Sequence, residues 1–204
     1  MKAQILNPYR AVDVGVGANL NTAAGDVETF KRTTGFHFNV NVNLDYFTTV
    51  IAEIQMGQLA GGDSINNYSG RQFTNQFNSF CFRGQMQLGR VFENFPDAVQ
   101  RIYLSSGIGG ISNNITKVSR SSILIPGYGT TGKDKSINFF VPARIGYEFA
   151  IKNAYKETMF KIDLGFQYNF VLGDEIDGYT VGKFKDTYSQ LSVGFKKGVF
   201  GRRW

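Results

Sequence analysis

Residues 35–46 read GFHFNVNVNLDY, and this stretch decides the fold of the 204-residue chain. Large apolar side chains take every second position, while His37, Asp45 and three asparagines take the positions between them. Alternation with a period of two predicts a β-strand that has one apolar and one polar face. The pattern leaves open whether the apolar face packs against a protein core or against lipid.

The same alternation recurs along the chain and predicts eight strands of about ten to fourteen residues, longer than is usual in globular sheets. The composition agrees, since 24 glycines and 15% aromatic residues suit strands and tight turns. No apolar run reaches the about 18 residues of a transmembrane helix, so a membrane-spanning form would have to be a barrel. The alternating residues that indicate these strands lie within 12–20, 36–46, 50–57, 80–89, 102–109, 137–149, 160–170 and 191–199.

The connections between these strands alternate between long and short. In an up-and-down antiparallel sheet, this alternation puts every long loop at one end and every tight turn at the other, as in outer-membrane barrels. The long connections are predicted at residues 21–34, 58–76, 112–136 and 173–187, and the short ones at 45–48, 92–98 and 152–158.

The two faces of the strands distinguish lipid from a protein core. A soluble eight-stranded barrel would turn its apolar face inward, yet the apolar face carries so many phenylalanines that they would overfill a narrow cylinder. The polar face carries many glycines, which leave room for charged side chains inside such a cylinder. Aromatic residues near the strand ends are typical of membrane-interface girdles. We therefore predict an all-β, eight-stranded antiparallel up-and-down transmembrane β-barrel with long external loops and short periplasmic turns.

The domain boundaries and the location follow from this fold. We expect one barrel domain over residues 1–204, with short periplasmic tails at 1–9 and 200–204. The N-terminal residues lack the pattern of a signal peptide, which fits either a cytosolic protein or a mature chain whose leader has been removed. Because we predict a barrel of this kind, we expect the second alternative: a mature chain in the bacterial outer membrane, in contact with the lipid bilayer and lipopolysaccharide. The formal charge of +6 is scattered along the chain, so no nucleic-acid partner is expected.

Six charged residues fall on the polar parity of neighbouring strands. Buried charges need partners, and opposite signs on adjacent strands supply them. We predict a salt-bridge network that fills a lumen too narrow for a diffusion pore, while a gate for ions is the alternative. The network comprises Glu53, Arg83, Arg144, Glu148, Lys161 and Asp163.

Candidate catalytic and metal-binding groups are few. His37 shares the lumen parity with Asp13 and Asp45, near the predicted outer end of the second strand, but no serine is close in sequence. We expect an ordinary hydrogen-bonded histidine, and Cys81 as a small interior residue. With one histidine and one cysteine, the sequence predicts no catalytic residue, no cofactor, no metal site and no internal disulfide.

Three stretches carry a resemblance to a known family: YLSSGIGGI at residues 103–111, NFFVPARIGYEFAI at 138–151 and FKIDLGFQYNF at 160–170. They resemble the small outer-membrane barrels of the OmpA-like superfamily, in particular the PorT-like and PorG-like stand-alone barrels of the type IX secretion system. The resemblance implies a non-enzymatic structural or assembly component that binds envelope or secretion-complex proteins. The chain departs from the family in running on past its last strand to GRRW instead of ending on an in-step aromatic residue.

Two further expectations accompany this resemblance. Ser64 lies in an Asp-Ser-Ile triplet that matches the O-glycosylation pattern of bacteria with the type IX system. The alternative function is a narrow gated channel or a small-ligand-binding barrel.

Overall fold

Eight strands close into one antiparallel barrel, in which each strand pairs with its sequence neighbours and the last pairs with the first. This confirms the predicted fold class. A computed structural model describes residues 11–25, 27, 29–45, 47–63, 70–88, 99–120, 129–152, 154, 158–180 and 186–200. The strands are β1 (Ala11–Ala24), β2 (Phe30–Asn43), β3 (Thr48–Gly62), β4 (Gln72–Gln87), β5 (Ile102–Ser119), β6 (Lys135–Lys152), β7 (Thr158–Val171) and β8 (Thr187–Phe200).

The opening stretch shows which face is interior. In β2, Phe38 is 46% exposed, whereas the adjacent Asn39 is 3% exposed. Phe38 pairs across the ladder with Val16 and Ile54, so apolar side chains share the outer face of neighbouring strands. The asparagine face therefore lines the lumen, and the phenylalanine face points away from the barrel.

These outward side chains form a continuous apolar belt around the barrel. The run from Val12 to Leu20 in β1 rises about 20 Å once a strand tilt of about 40° is allowed for. That height is close to the apolar band of about 25 Å in outer-membrane barrels. A belt of this kind needs lipid around it, because water would make its exposure costly. The outward apolar runs lie within residues 12–20, 36–44, 50–56, 80–86, 104–110, 137–151, 160–172 and 191–199.

The strands extend further than the apolar alternation predicts. β1 reaches Ala24 and β2 begins at Phe30, so most of the predicted first loop is strand, and β5 and β6 each have 18 residues. Beyond the belt most outward residues are polar, although Phe30 in β2 is an exception, so the hydrophobic pattern ends while the ladder of backbone hydrogen bonds continues.

The predicted alternation of loop lengths is wrong in two places. Residues 25–29, 63–71, 120–134 and 172–186 connect strands at one end, which we call the loop end, and residues 44–47, 88–101 and 153–157 do so at the other, the turn end. The first loop-end connection is short, and the connection at 88–101 is long. β1 begins and β8 finishes at the turn end, where Val12 pairs with Phe200.

No helix in the described ranges is long and apolar enough to cross a membrane.

The belt generates a depth-dependent prediction. Val16→Arg places a charge near the middle of the apolar run of β1 and should lower the free energy of unfolding by about 2–4 kcal/mol. Gln58→Arg, at the first polar outward position above the belt in β3, should cost about 1 kcal/mol or less. Urea unfolding in phospholipid vesicles, followed by circular dichroism, measures both. Equal costs at the two positions would contradict the assigned belt.

Candidate functional site: the filled lumen

The centre of the lumen charge network is a lysine held between two carboxylates. Lys196 Nζ in β8 lies 2.7 Å from Glu148 Oε1 in β6 and 2.7 Å from Asp163 Oδ2 in β7. Asp163 Oδ1 also accepts hydrogen bonds from Tyr103 Oη at 2.6 Å and from Arg144 at 3.3 Å. Four strands thus converge on one cluster that is cut off from water.

The cluster extends toward the turn end through a second lysine. Lys161 Nζ lies 2.9 Å from Asp13 Oδ2 in β1 and 3.8 Å from Glu148 Oε2. The side chain of Lys161 is 19% exposed, more than the other lysine of the cluster, Lys196, at 4%. The network is therefore wettest at the turn end and dry at its centre.

A separate ion pair lies on the opposite side of the lumen. Arg83 in β4 donates to Glu53 Oε2 in β3 at 2.5 Å and to Ser105 Oγ in β5 at 3.2 Å. Gln55 Nε2 donates to the other oxygen of Glu53 at 2.7 Å. The pair is almost fully buried, so each partner compensates a charge that has no access to water.

The structure places all six predicted network residues in the lumen, in these two groups. The larger group has three cations against three anions and the smaller has one of each, so each group is electrically balanced. The balance of charges is important because an unpaired charge in this interior would lower the free energy of unfolding by several kcal/mol.

Sequence reasoning missed three members of the larger group: Lys196, Asp13 and Tyr103. Lys196 falls on the polar parity of β8 beside Lys197, but the predicted network did not include it. Parity separates them, since Lys196 is 3% exposed and Lys197 points outward. The period of two assigns Lys196 to the lumen and Lys197 to the outer face, although the two lysines are adjacent in sequence.

Glycines on the inner face create the space for these side chains. A Cβ at Gly165 in β7 would lie 2.6 Å from Arg144 Cζ, closer than side-chain atoms approach. The guanidinium crosses the lumen directly over this glycine, as the sequence pattern predicts for a narrow barrel.

His37 is a buried, hydrogen-bonded lumen residue. Its Nδ1 lies 2.8 Å from Asn19 Oδ1, and the ring packs over Gly17. The prediction that it lies near the outer end of its strand is wrong, because β2 begins at Phe30 and His37 is in its middle. Asp45 does not join it either: this side chain accepts hydrogen bonds from two backbone amides in the turn after β2.

The loop-end half of the lumen contains an apolar cluster among its polar side chains, which the sequence pattern does not predict. Aromatic rings meet there, with ring centroids of Phe77 and Tyr188 5.9 Å apart and those of Phe140 and Tyr188 6.2 Å apart. Cys81 is buried among them, as expected. We call this cluster the apolar plug; it comprises Ala23, Val27, Leu59, Phe73, Phe77, Cys81, Ile111, Phe140, Val171, Ile176, Tyr179 and Tyr188.

Two residues of the plug come from the connection between β7 and β8. This segment turns back into the barrel mouth and buries Ile176 and Tyr179. Asn75 Nδ2 donates to the backbone oxygen of Ile176 at 2.9 Å, and Tyr179 Oη donates to that of Ser119 at 2.7 Å. Arg120 donates to the backbone oxygen of Gly178 at 3.1 Å. The last loop is thus fastened to β4 and to the end of β5.

A pair of buried carboxyl groups lies at the base of this loop. Asp186 Oδ2 accepts a hydrogen bond from the amide of Ile176 at 2.8 Å. A Cβ at Gly25 would lie 2.8 Å from an oxygen of Asp177 and 2.8 Å from one of Asp186, so the two groups face each other across this glycine. Burial, together with the neighbouring charge of Asp177, raises the pKa of Asp186 to about 8. The pair therefore binds a proton more readily than an isolated carboxyl group does.

The charge network fills the lumen nearer the turn end, and the apolar plug fills it nearer the loop end. An eight-stranded barrel is just wide enough for side chains to fill it. Among the described residues, no group of histidine, cysteine, aspartate and glutamate side chains could hold a metal ion. Ser64, the predicted glycosylation site, lies outside the described residues.

Comparison with known proteins supports the fold. No protein-family model matches the chain, and no curated protein matches it. Among solved structures it is similar to Neisserial surface protein A, with a TM-score of 0.52 and 11% identity over 91% of this chain and 96% of that one. It is also similar to Ail, the attachment invasion locus protein of Yersinia pestis, with a TM-score of 0.50 and 12% identity over 93% of this chain and 99% of that one. The chain therefore has the fold of the small eight-stranded outer-membrane barrels.

Lys196 provides a test of the charge network. Lys196→Met leaves Glu148 and Asp163 without their shared cation and should lower the free energy of unfolding by about 3–5 kcal/mol. Lys197→Met, one residue further on, alters an outward side chain and should change it by about 1 kcal/mol or less. Urea unfolding in vesicles measures both, and a comparable loss at Lys197 would argue against the network.

The buried pair of Asp177 and Asp186 should make the stability of the folded barrel depend on pH. Because the pKa of Asp186 is raised in the folded barrel, its contribution to stability is fully present below its unfolded pKa of about 4. That contribution is lost as the pH rises through about 8. The unfolding midpoint in urea should therefore fall over this range, and Asp186→Asn should remove this part of the decline. A carboxyl carbon of Asp186 that titrates near pH 4 by NMR would contradict the assignment.

Proposed function

We propose that this chain is a non-enzymatic integral outer-membrane barrel that acts as a structural or assembly component by binding envelope partners. The observation that carries the proposal is the lumen, which is filled at two heights by the balanced charge network and the apolar plug. A filled lumen leaves the two ends and the outer wall as the surfaces on which the protein can act.

The location follows from the belt. Outward apolar side chains such as Phe36 and Phe139, 70% and 72% exposed, require a hydrocarbon environment. Closed β-barrels that meet this requirement are found in outer membranes. In our proposal the loop end faces outward and the turn end, where β1 begins and β8 ends, faces the periplasm.

The non-enzymatic part of the proposal is supported by how the lumen uses its reactive groups. His37 bonds to Asn19 in mid-barrel, Asp13 pairs with Lys161, and Asp163 is held by Lys196. These three groups are thus occupied in structural pairs inside the lumen.

The finer part of the proposal is membership of a type IX-like secretion or envelope-anchoring complex. It is supported by the resemblance of residues 103–111, 138–151 and 160–170 to PorT-like and PorG-like barrels. In such a complex, the turn end of the barrel would face the periplasmic partners.

A narrow gated channel or a small-ligand-binding barrel is the alternative function. Opening the lumen would require both fillings to move, including the buried Arg83–Glu53 pair and the bonds of Lys196. Breaking buried pairs of this kind is strongly destabilising. The filled lumen therefore favours the structural component over the channel.

Isolation from the native membrane tests the partner-binding function. A tagged chain extracted from its own outer membrane in mild detergent should carry stoichiometric envelope proteins that mass spectrometry can identify. The control is an unrelated tagged eight-stranded barrel expressed in the same cells. A chain recovered without partners beyond those of the control would contradict the proposal.

Planar bilayer recording distinguishes the proposed structural component from the alternative, a channel. The purified barrel should give no discrete ion currents, because both fillings remain in place. Currents that change on Arg83→Gln or Arg144→Gln would establish the channel instead.

A further inference from the structure

A groove crosses the outer wall of β4, β5 and β6 in the middle of the apolar belt. Its volume is about 670 Å³. The strand register places three small outward residues side by side on its floor: Gly84, Ser106 and Ala143. Large apolar side chains border this floor: Met86, Leu104, Ile145 and Phe166. The wall is therefore concave at a depth where hydrocarbon surrounds the barrel.

Ser106 adds a polar group to the floor of the groove. It is exposed on the outer face of β5 between Leu104 and Ile108, so its hydroxyl lies inside the apolar belt. A hydroxyl in hydrocarbon is costly unless it makes a hydrogen bond. Protein chains that meet inside membranes use small residues for close approach and serine side chains for hydrogen bonds between them. The groove has both features, and the hydroxyl favours a protein surface over an acyl chain.

The register gives the relative depth of each residue in the wall. Ladder partners followed once around the barrel from Val12 lead back to β1 at Thr22, ten residues nearer the loop end. The strands rise about 3.3 Å per residue and tilt by about 40°, so each step to the next strand climbs about 3 Å toward the loop end. Two residues along one strand change the depth by about 5 Å.

These steps place large and small side chains at matching depths on the two sides of β5. Ala143 in β6 is two ladder steps from Gly84 in β4 and lies about 6 Å nearer the loop end. Phe82, two residues above Gly84, is therefore within about 1 Å of the depth of Ala143. Ile145, two residues below Ala143, is likewise within about 1 Å of the depth of Gly84. Each large side chain has a small one opposite it across β5.

This arrangement is complementary to itself. Two copies in one membrane have the same orientation, so a two-fold axis between them is normal to the membrane. Residues that face each other across such an axis share a depth and come from opposite sides of β5. With the axis beside Ser106, Phe82 of each copy faces Ala143 of the other copy. Ile145 of each copy faces Gly84 of the other in the same way.

We infer that the groove is the interface of a side-by-side dimer of this chain in the membrane. Phe82 of each copy packs against Ala143 of the other, and the two Ser106 hydroxyls form a hydrogen bond at the axis. The occupant is a second copy because the large and small residues match one another at equal depth. An acyl chain would leave the Ser106 hydroxyl without a partner. The inference concerns the outer wall and does not depend on the envelope partners proposed above.

Association in phospholipid vesicles tests the dimer. Full chains that carry a donor or an acceptor fluorophore on a C-terminal tag should show energy transfer that rises with the protein-to-lipid ratio. Ala143→Phe fills the small position opposite Phe82 and should weaken association at least tenfold, while the barrel stays folded because this side chain faces outward. Ala18→Phe is the matched control, at a small outward position of β1 on the opposite side of the barrel, and should change association less than twofold.

Disulfide cross-linking in the native outer membrane is the second measurement. Ser106→Cys places a thiol at the axis, and oxidation should link two copies at least fivefold more than in Ala18→Cys. Cys81 is 1% exposed inside the barrel, so the unaltered chain should not cross-link.

Four results would overturn the inference. They are a monomer at every protein-to-lipid ratio, equal losses in Ala143→Phe and Ala18→Phe, equal cross-linking at positions 106 and 18, and cross-linking of Ser106→Cys to a different envelope protein instead of a second copy.

Discussion

The structure depends on one constraint: a chain in hydrocarbon must pair its own backbone amides and carbonyls, because lipid offers no hydrogen bonds. Closing the sheet between β1 and β8 removes the two edges that would otherwise be left unpaired. Closure at eight strands then fixes a narrow interior. The period of two, the inward glycines and the buried charges all follow, since every second residue must face either lipid or a space that a few side chains can fill.

The narrow interior explains why the lumen is divided into two kinds of filling. Charged side chains are long enough to meet across the barrel, and Lys196 reaches carboxylates on β6 and β7 from β8. Nearer the loop end, rings such as Phe77 and Phe140 fill the same width without leaving charges unpaired. A barrel whose lumen is filled in both ways can contact other molecules only through its two ends and its outer wall.

Much of this architecture could be predicted from the sequence, because alternation reports directly on which face a strand residue occupies. It assigned Phe38 to the outside and Asn39 to the lumen, and it put the six network charges on the inner face. It could not reveal that Lys196 pairs with Glu148, since pairing depends on the stagger between strands that are far apart in sequence. It also could not reveal the apolar plug, because Ile176 and Tyr179 come from a connection with no periodic pattern. The first loop-end connection was predicted too long because polar strand extensions read as a loop.

The reach of the charge network has a consequence for how the barrel assembles. Lys161 in β7 pairs with Asp13 in β1, which is 148 residues away and separated from it in the wall by β8. Gln190 in β8 likewise donates to Asn21 in β1 and to Gln55 in β3, across the closing seam. None of these bonds can form while the seam is open, and an open sheet would present the same charged groups to hydrocarbon. Pairing β1 with β8 is therefore the step that encloses the polar face. Before this step the polar face opposes insertion into the membrane, and after it the bonds across the lumen hold the two strands together. Closure of the barrel and packing of the lumen thus occur together.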